Sequence, residues 1–112
     1  MAVQHQSLAA GRWQKLSLME QLGNIGSEIS RAASAEHKDE KAFQAAIDRA
    51  LELFDLTLGD PRWRGRLKEI ARAREVFLDA SLGDRDYQSS LADLDDYFLP
   101  FALSARQQYL NK

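Results

Sequence analysis

Between Leu18 and Ala32 the apolar residues Leu18, Leu22, Ile25, Ile29 and Ala32 recur at steps of four, three, four and three. A chain with 3.6 residues per turn gathers such positions on one side, so this stretch is an amphipathic helix whose stripe the rest of the fold must cover. Trp13 and Leu16 lie ahead of the seam, and the segment reads as helical through "RWQKLSLMEQLGNIGSEISRAASA". Gln14, Lys15, Glu20, Gln21, Asn24 and Glu28 fill the gaps between its apolar positions. The helix is expected to end near "AEHKDE", where Asp39 can cap the next segment.

That next segment, "DEKAFQAAIDRALELFDLTLG", opens with acids and closes with glycine, as the helix dipole and a left-handed C-terminal residue favour. Phe43, Ile47, Ala50, Phe54 and Leu58 make one stripe, which Leu51 and Leu53 widen. So broad a face suits a bundle interior that touches two neighbours. In "LGDPRWRGR" Gly59 is placed to end this helix, Asp60 to cap the next, and Pro61 to take the first helical position, where its missing N–H does no harm. Helix three then runs from Pro61 to about Leu82, with Trp63, Leu67, Ile70, Phe77 and Ala80 or Ser81 inward. Trp63 anchors the corner in this reading, while Arg62, Arg64 and Arg66 mostly face water.

Ser89 or Ser90 can cap a fourth helix carrying Leu94, Tyr97, Phe98, Phe101, Leu103 and Tyr109. Pro100 removes a backbone donor there and predicts a kink near Asp96. Short connections make sequential helices antiparallel. The expected fold is all-α: one domain over residues 1–112, an antiparallel up-down-up-down four-helix bundle with a proline kink in the last helix and a flexible stretch over residues 1–11.

The length of 112 residues fits one core, and 45% hydrophobic with 29% charged residues is a globular composition. Without cysteine there is no disulfide, thiolate metal site or cysteine nucleophile. The apolar runs are too short to span a membrane and "MAVQHQSLAAGRW" lacks signal-peptide features, so a cytoplasmic protein is expected. The net charge of −2 speaks against a general polyanion binder, though a local patch can hide within it.

One such patch exists. Arg62, Arg64, Arg66, Lys68, Arg72 and Arg74 face a single acid, Glu69, within fourteen residues. Arg64, Lys68 and Arg72 form a row at four-residue spacing able to follow a phosphate backbone, with Trp63 as a stacking surface. The bland alternative pairs these cations with Asp48, Glu52 and Asp55 of the preceding helix. Asp55 and Arg74 both border an apolar stripe, so they are candidates for an internal ion pair, which Glu28, Glu69 and Glu75 can join. Walker-type glycines with Lys and Ser or Thr are missing. Neither His5 nor His37 follows a glutamate by three positions, as carboxylate-bridged metal bundles require, so no metal or cofactor is expected. Gly23 and Gly26 in "GNIGSE" each cost about 1 kcal/mol against alanine inside a helix. Close helix approach explains them, and room for a small ligand beside Ser27 and Ser30 is the sharper alternative.

In "RAASAEH" the separation of Arg31 from His37 resembles the Arg-to-His motif of HEPN-domain ribonucleases, which are also small helical bundles. That resemblance makes Arg31 and His37 the catalytic candidates, although Ala32 stands where the family usually has a polar residue and the motif lies early in the chain. More broadly, "LGNIGSEISRA", "RALELFDLTLGDPR" and "RLKEIARARE" resemble a family of small bacterial proteins similar in layout to the four-helix proteins encoded in ribosomal RNA intervening sequences. The resemblance implies a bundle and a bacterial cytoplasmic setting, and it transfers no catalytic residue. With no catalytic set complete, the leading expectation is a non-enzymatic interaction module acting as a homo-oligomer and able to take a protein partner. The rival is an RNA-binding or HEPN-like RNA-cleaving protein using the Arg62 to Arg74 face.

Overall fold

The computed structural model describes residues 11–82 and, further along, Leu91, Asp93, Leu94, Asp96 and Phe98, which are helical. Within residues 11–82 lie three α-helices, α1 (Leu18–Ala35), α2 (Glu40–Leu58) and α3 (Leu67–Leu82), and two 3₁₀ segments, Trp13–Lys15 and Pro61–Arg66. The fold is all-α, with no strand among the described residues. No described helix is long and apolar enough to cross a membrane. The expected Pro100 kink, the Ser89 or Ser90 cap and residues 1–10 lie outside the described residues.

The first segment does not run unbroken from Arg12. Ser17 and Glu20 form a capping box: Ser17 Oγ accepts from the Glu20 N–H, and Glu20 Oε1 accepts from the Ser17 N–H, both at 3.1 Å. Leu16 is extended (φ −83°, ψ 149°), so Trp13 sits on its own turn instead of beginning α1. At the other end, His37 takes φ 64° while the N–H groups of Lys38 and Asp39 return to Ala35 O. Asp39 then caps α2 by accepting from the Ala42 N–H at 3.1 Å, as the sequence predicts.

Gly59 does end α2, but in a right-handed conformation (φ −82°, ψ −4°) instead of the expected left-handed one. Asp60 caps the following turn and Pro61 opens it. That turn is not yet α3. The Trp63 N–H donates to Asp60 O at 3.1 Å, a three-residue closure, and Trp63 leaves helical geometry at φ −106°, ψ 23°. The α-helix starts only at Leu67, which is 37% exposed and so not on the inner face assigned to it.

Ile25, Ile29 and Ala32 of α1 pack with Ala46, Ile47, Ala50, Leu53 and Phe54 of α2, Ile70, Phe77 and Ala80 of α3, and Leu91, Leu94 and Phe98. Phe54 lies among them, its ring 5.8 Å from Phe77 and 6.2 Å, edge-on, from Phe98. A Cβ on Gly26 would stand 2.9 Å from Phe98 Cβ, so this glycine serves close approach.

Candidate functional site

Two polar clusters and one groove stand out, and each grows from α1. Gln21 and Glu28, which fill gaps in the first seam, are buried at 0% and 4% exposure. Their positions explain this: Leu18, Gln21, Ile25, Glu28 and Ala32 step by three and four and form a second row on the same inner face. A buried amide and carboxylate need partners, and both have them.

Gln21 organises the corner. Its Nε2 donates to Trp13 O at 2.9 Å and to Asp60 Oδ2 at 3.1 Å, and its Oε1 accepts from Trp63 Nε1 at 2.9 Å. Trp13, fully buried, donates from Nε1 to Thr57 Oγ1 at 3.0 Å. The Asp60 carboxylate accepts from the Arg62 backbone N–H and Nε at 3.0 Å on Oδ1, and from Arg62 Nη2 at 2.7 Å on Oδ2. Nη2 also reaches Leu16 O at 2.7 Å, and the guanidinium lies 4.5 Å from the centre of the Trp63 ring. Asp60 is thus covered only shallowly: its lid is the Arg62 side chain, itself 39% exposed. The Arg62 side-chain hydrogen bonds outweigh burial and, with help from the Arg62 N–H and Gln21, lower the Asp60 pKa to about 2. The same bond raises the Arg62 pKa. The arrangement is a closed clamp joining α1, the end of α2 and both 3₁₀ segments.

Glu28 makes the second cluster. Its Oε1 accepts from Arg31 Nη1 on the same helix, and its Oε2 from Arg49 Nε of α2 at 2.8 Å. Above it, α1 and α2 border an open groove of about 580 Å³ lined by Ser30, Arg31, Ser34, Ala35, Lys38, Asp39, Ala42, Ala45 and Arg49. A smaller notch of about 40 Å³, lined by Leu18, Leu22, Arg66, Glu69, Ile70, Ala73 and Phe98, lies on another side.

The residues singled out from the sequence fall as follows. Arg62 does not face water as an open cation but is spent on Asp60. Arg66 pairs with Glu69 at 3.1 Å on the surface. Arg64, Lys68 and Arg72 are exposed, but Arg64 lies in the 3₁₀ segment, so the four-residue spacing holds only for Lys68 and Arg72. Trp63 is half-buried and tied to Gln21. Arg74 Nε donates to Asp55 Oδ1 at 3.0 Å, with side chains 30% and 61% exposed: the two meet at the surface, not inside. Glu28 joins Arg31 and Arg49 instead of that pair. Arg31 lines the groove and His37, exposed in the turn, does not. Ser27 Oγ is bonded to Gly23 O, and Ser30 faces the groove. Among the described residues no three His, Asp or Glu side chains gather as a metal site.

Gln21, Arg49 and Lys38 are not among the candidates the sequence offers, and Glu28 is offered only as an addition to the Asp55–Arg74 pair. For Gln21 and Glu28 a signal exists, since both fall in register with the apolar seam. Comparison with known proteins finds no matching family model, no similar curated protein and no similar solved structure.

Proposed function

We propose that the chain is a non-enzymatic interaction module, a bacterial cytoplasmic four-helix bundle that acts as a homo-oligomer and takes a protein partner. Leu91, Leu94 and Phe98, buried at steps of three and four, support a fourth helix in an up-down-up-down arrangement.

The observation that carries this reading is how Asp60 and Glu28, two of the three buried carboxylates among the described residues, are used. Asp60, lowered to about 2, stays ionised at neutral pH with its oxygens filled by Arg62 and Gln21. Both Glu28 oxygens are filled by Arg31 and Arg49. Carboxylates committed in this way hold helices together, which supports a reading in which the surface acts by recognition. Self-association suits so small a bundle, which buries its surface inefficiently, and would cover Leu82, 74% exposed. Light scattering after size exclusion tests this reading.

A second reading, RNA binding on the face from Arg62 to Arg74, is favoured by Arg64 and Lys68, which have no internal partner among the described residues. Phosphate contacts weaken steeply with salt. Labelled single-stranded RNA titrated at low and moderate salt is the test, and absence of binding at low salt removes this reading. For cleavage by Arg31 and His37 the decisive variant is His37→Ala, which must abolish cutting while leaving the fold intact.

A further inference from the structure

The groove between α1 and α2 holds more hydrogen-bond donors than the fold consumes. Arg31 from α1, Lys38 from the turn and Arg49 from α2 converge on it, with the hydroxyls of Ser30 and Ser34 beside them. Each guanidinium has five N–H donors and spends one on Glu28. The remaining donors stay oriented, because the buried Glu28 carboxylate holds both arginines from beneath. Among the described residues Lys38 has no ion-pair partner and neither serine hydroxyl is hydrogen-bonded. Three cations therefore meet two carboxylates, of which Asp39 is turned to the Ala42 N–H.

We infer that this groove binds the phosphate group of a phosphorylated small molecule. Guanidinium forks flanked by hydroxyls and an ammonium match the tetrahedral array of phosphate oxygens. A groove of about 580 Å³ is of small-ligand size. Its apolar lining is Ala35, Ala42 and Ala45, with no aromatic ring on which a nucleic-acid base can stack. The inference rests on the chain being a binding module and is independent of its self-association.

The test is an NMR titration of the isotope-labelled full chain with inorganic pyrophosphate at low salt, with citrate as the carboxylate comparison and the solution mass recorded on the same samples. Saturable shifts at Ser30, Ser34, Lys38 and Ala42 are expected. Lys38→Glu and Ser34→Asp change exposed groups outside the internal bonding, so they keep the fold, and each should weaken binding at least roughly tenfold. Lys68→Glu on α3 should leave binding unchanged. Absence of shifts, shifts centred on Arg64 and Lys68, equal weakening by Lys68→Glu, or equally tight binding of citrate would each overturn the inference. An oligomeric mass without pyrophosphate binding overturns the groove alone.

Discussion

Gln21 Nε2, near the start of α1, lies 3.1 Å from Asp60 Oδ2, on the residue that caps the turn after α2. This bond fixes α1 and α2 as antiparallel neighbours and gives Asp60 two tasks at once. It caps a turn and neutralises Arg62 beside a buried amide. Asp60→Ala should therefore cost the cap, about 0.5–2 kcal/mol, and in addition leave a Gln21 N–H unsatisfied, about 1–3 kcal/mol. Urea unfolding monitored by circular dichroism measures the loss, and a change within about 0.5 kcal/mol, the ordinary surface range, would contradict the clamp.

The same carboxylate gives stability a pH dependence. Its pKa in the fold, about 2, is below the ordinary 3.8, so its stabilisation is complete above 3.8 and disappears as pH falls through about 2. Asp60→Asn, which keeps an acceptor for the Arg62 N–H, lacks this titration. The stability gap between wild type and Asp60→Asn should narrow steadily from about pH 5 to about pH 2. A constant gap over that range contradicts the lowered pKa.

The two tryptophans should rank clearly. Trp13 is fully buried with its indole N–H on Thr57, so Trp13→Ala should cost roughly 3–5 kcal/mol. Trp63 is half-buried under Arg62, so Trp63→Ala should cost less, about 1–2 kcal/mol. Urea midpoints of the two variants give the order, and the reverse order would mean that the corner hangs on Trp63.

Gly26→Ala replaces a poor helix former by the best one, a gain of about 1 kcal/mol where space allows. Space does not allow it: the new methyl would stand 2.9 Å from Phe98 Cβ. Overpacking of this kind costs about 1–3 kcal/mol, so the variant should melt lower than wild type. Gly65→Ala, with nothing within 4 Å, should melt at or above it. Thermal denaturation of both decides.

The sequence made the corners more legible than the interior. Asp39, Asp60 and Pro61 act through bonds to residues one to three places away, so their roles follow from local chemistry. The Ser17–Glu20 capping box was equally local but was overrun by apolar Trp13 and Leu16, which continue the helical rhythm across it. Trp63 misled in the same manner, its distance from Leu67 fitting an α-turn that the Asp60 bonds tighten into 3₁₀ geometry. Gln21 reads as a surface residue because it is polar, and Glu28 as an addition to the Asp55–Arg74 pair, although the register of both is that of the core. What makes them buried is the arrival of Asp60, Trp63 and Arg49 from other elements, and no local pattern announces partners 21 to 42 residues away. The groove was illegible for the same reason, since Arg31 and Arg49 acquire a shared purpose only through Glu28.

The reading of the chain as a self-associating interaction module is met most directly by its mass in solution. Light scattering coupled to size exclusion should return twice 12.7 kDa or a higher whole-number multiple, and that mass should persist across micromolar concentrations. A mass of 12.7 kDa at every concentration would contradict it.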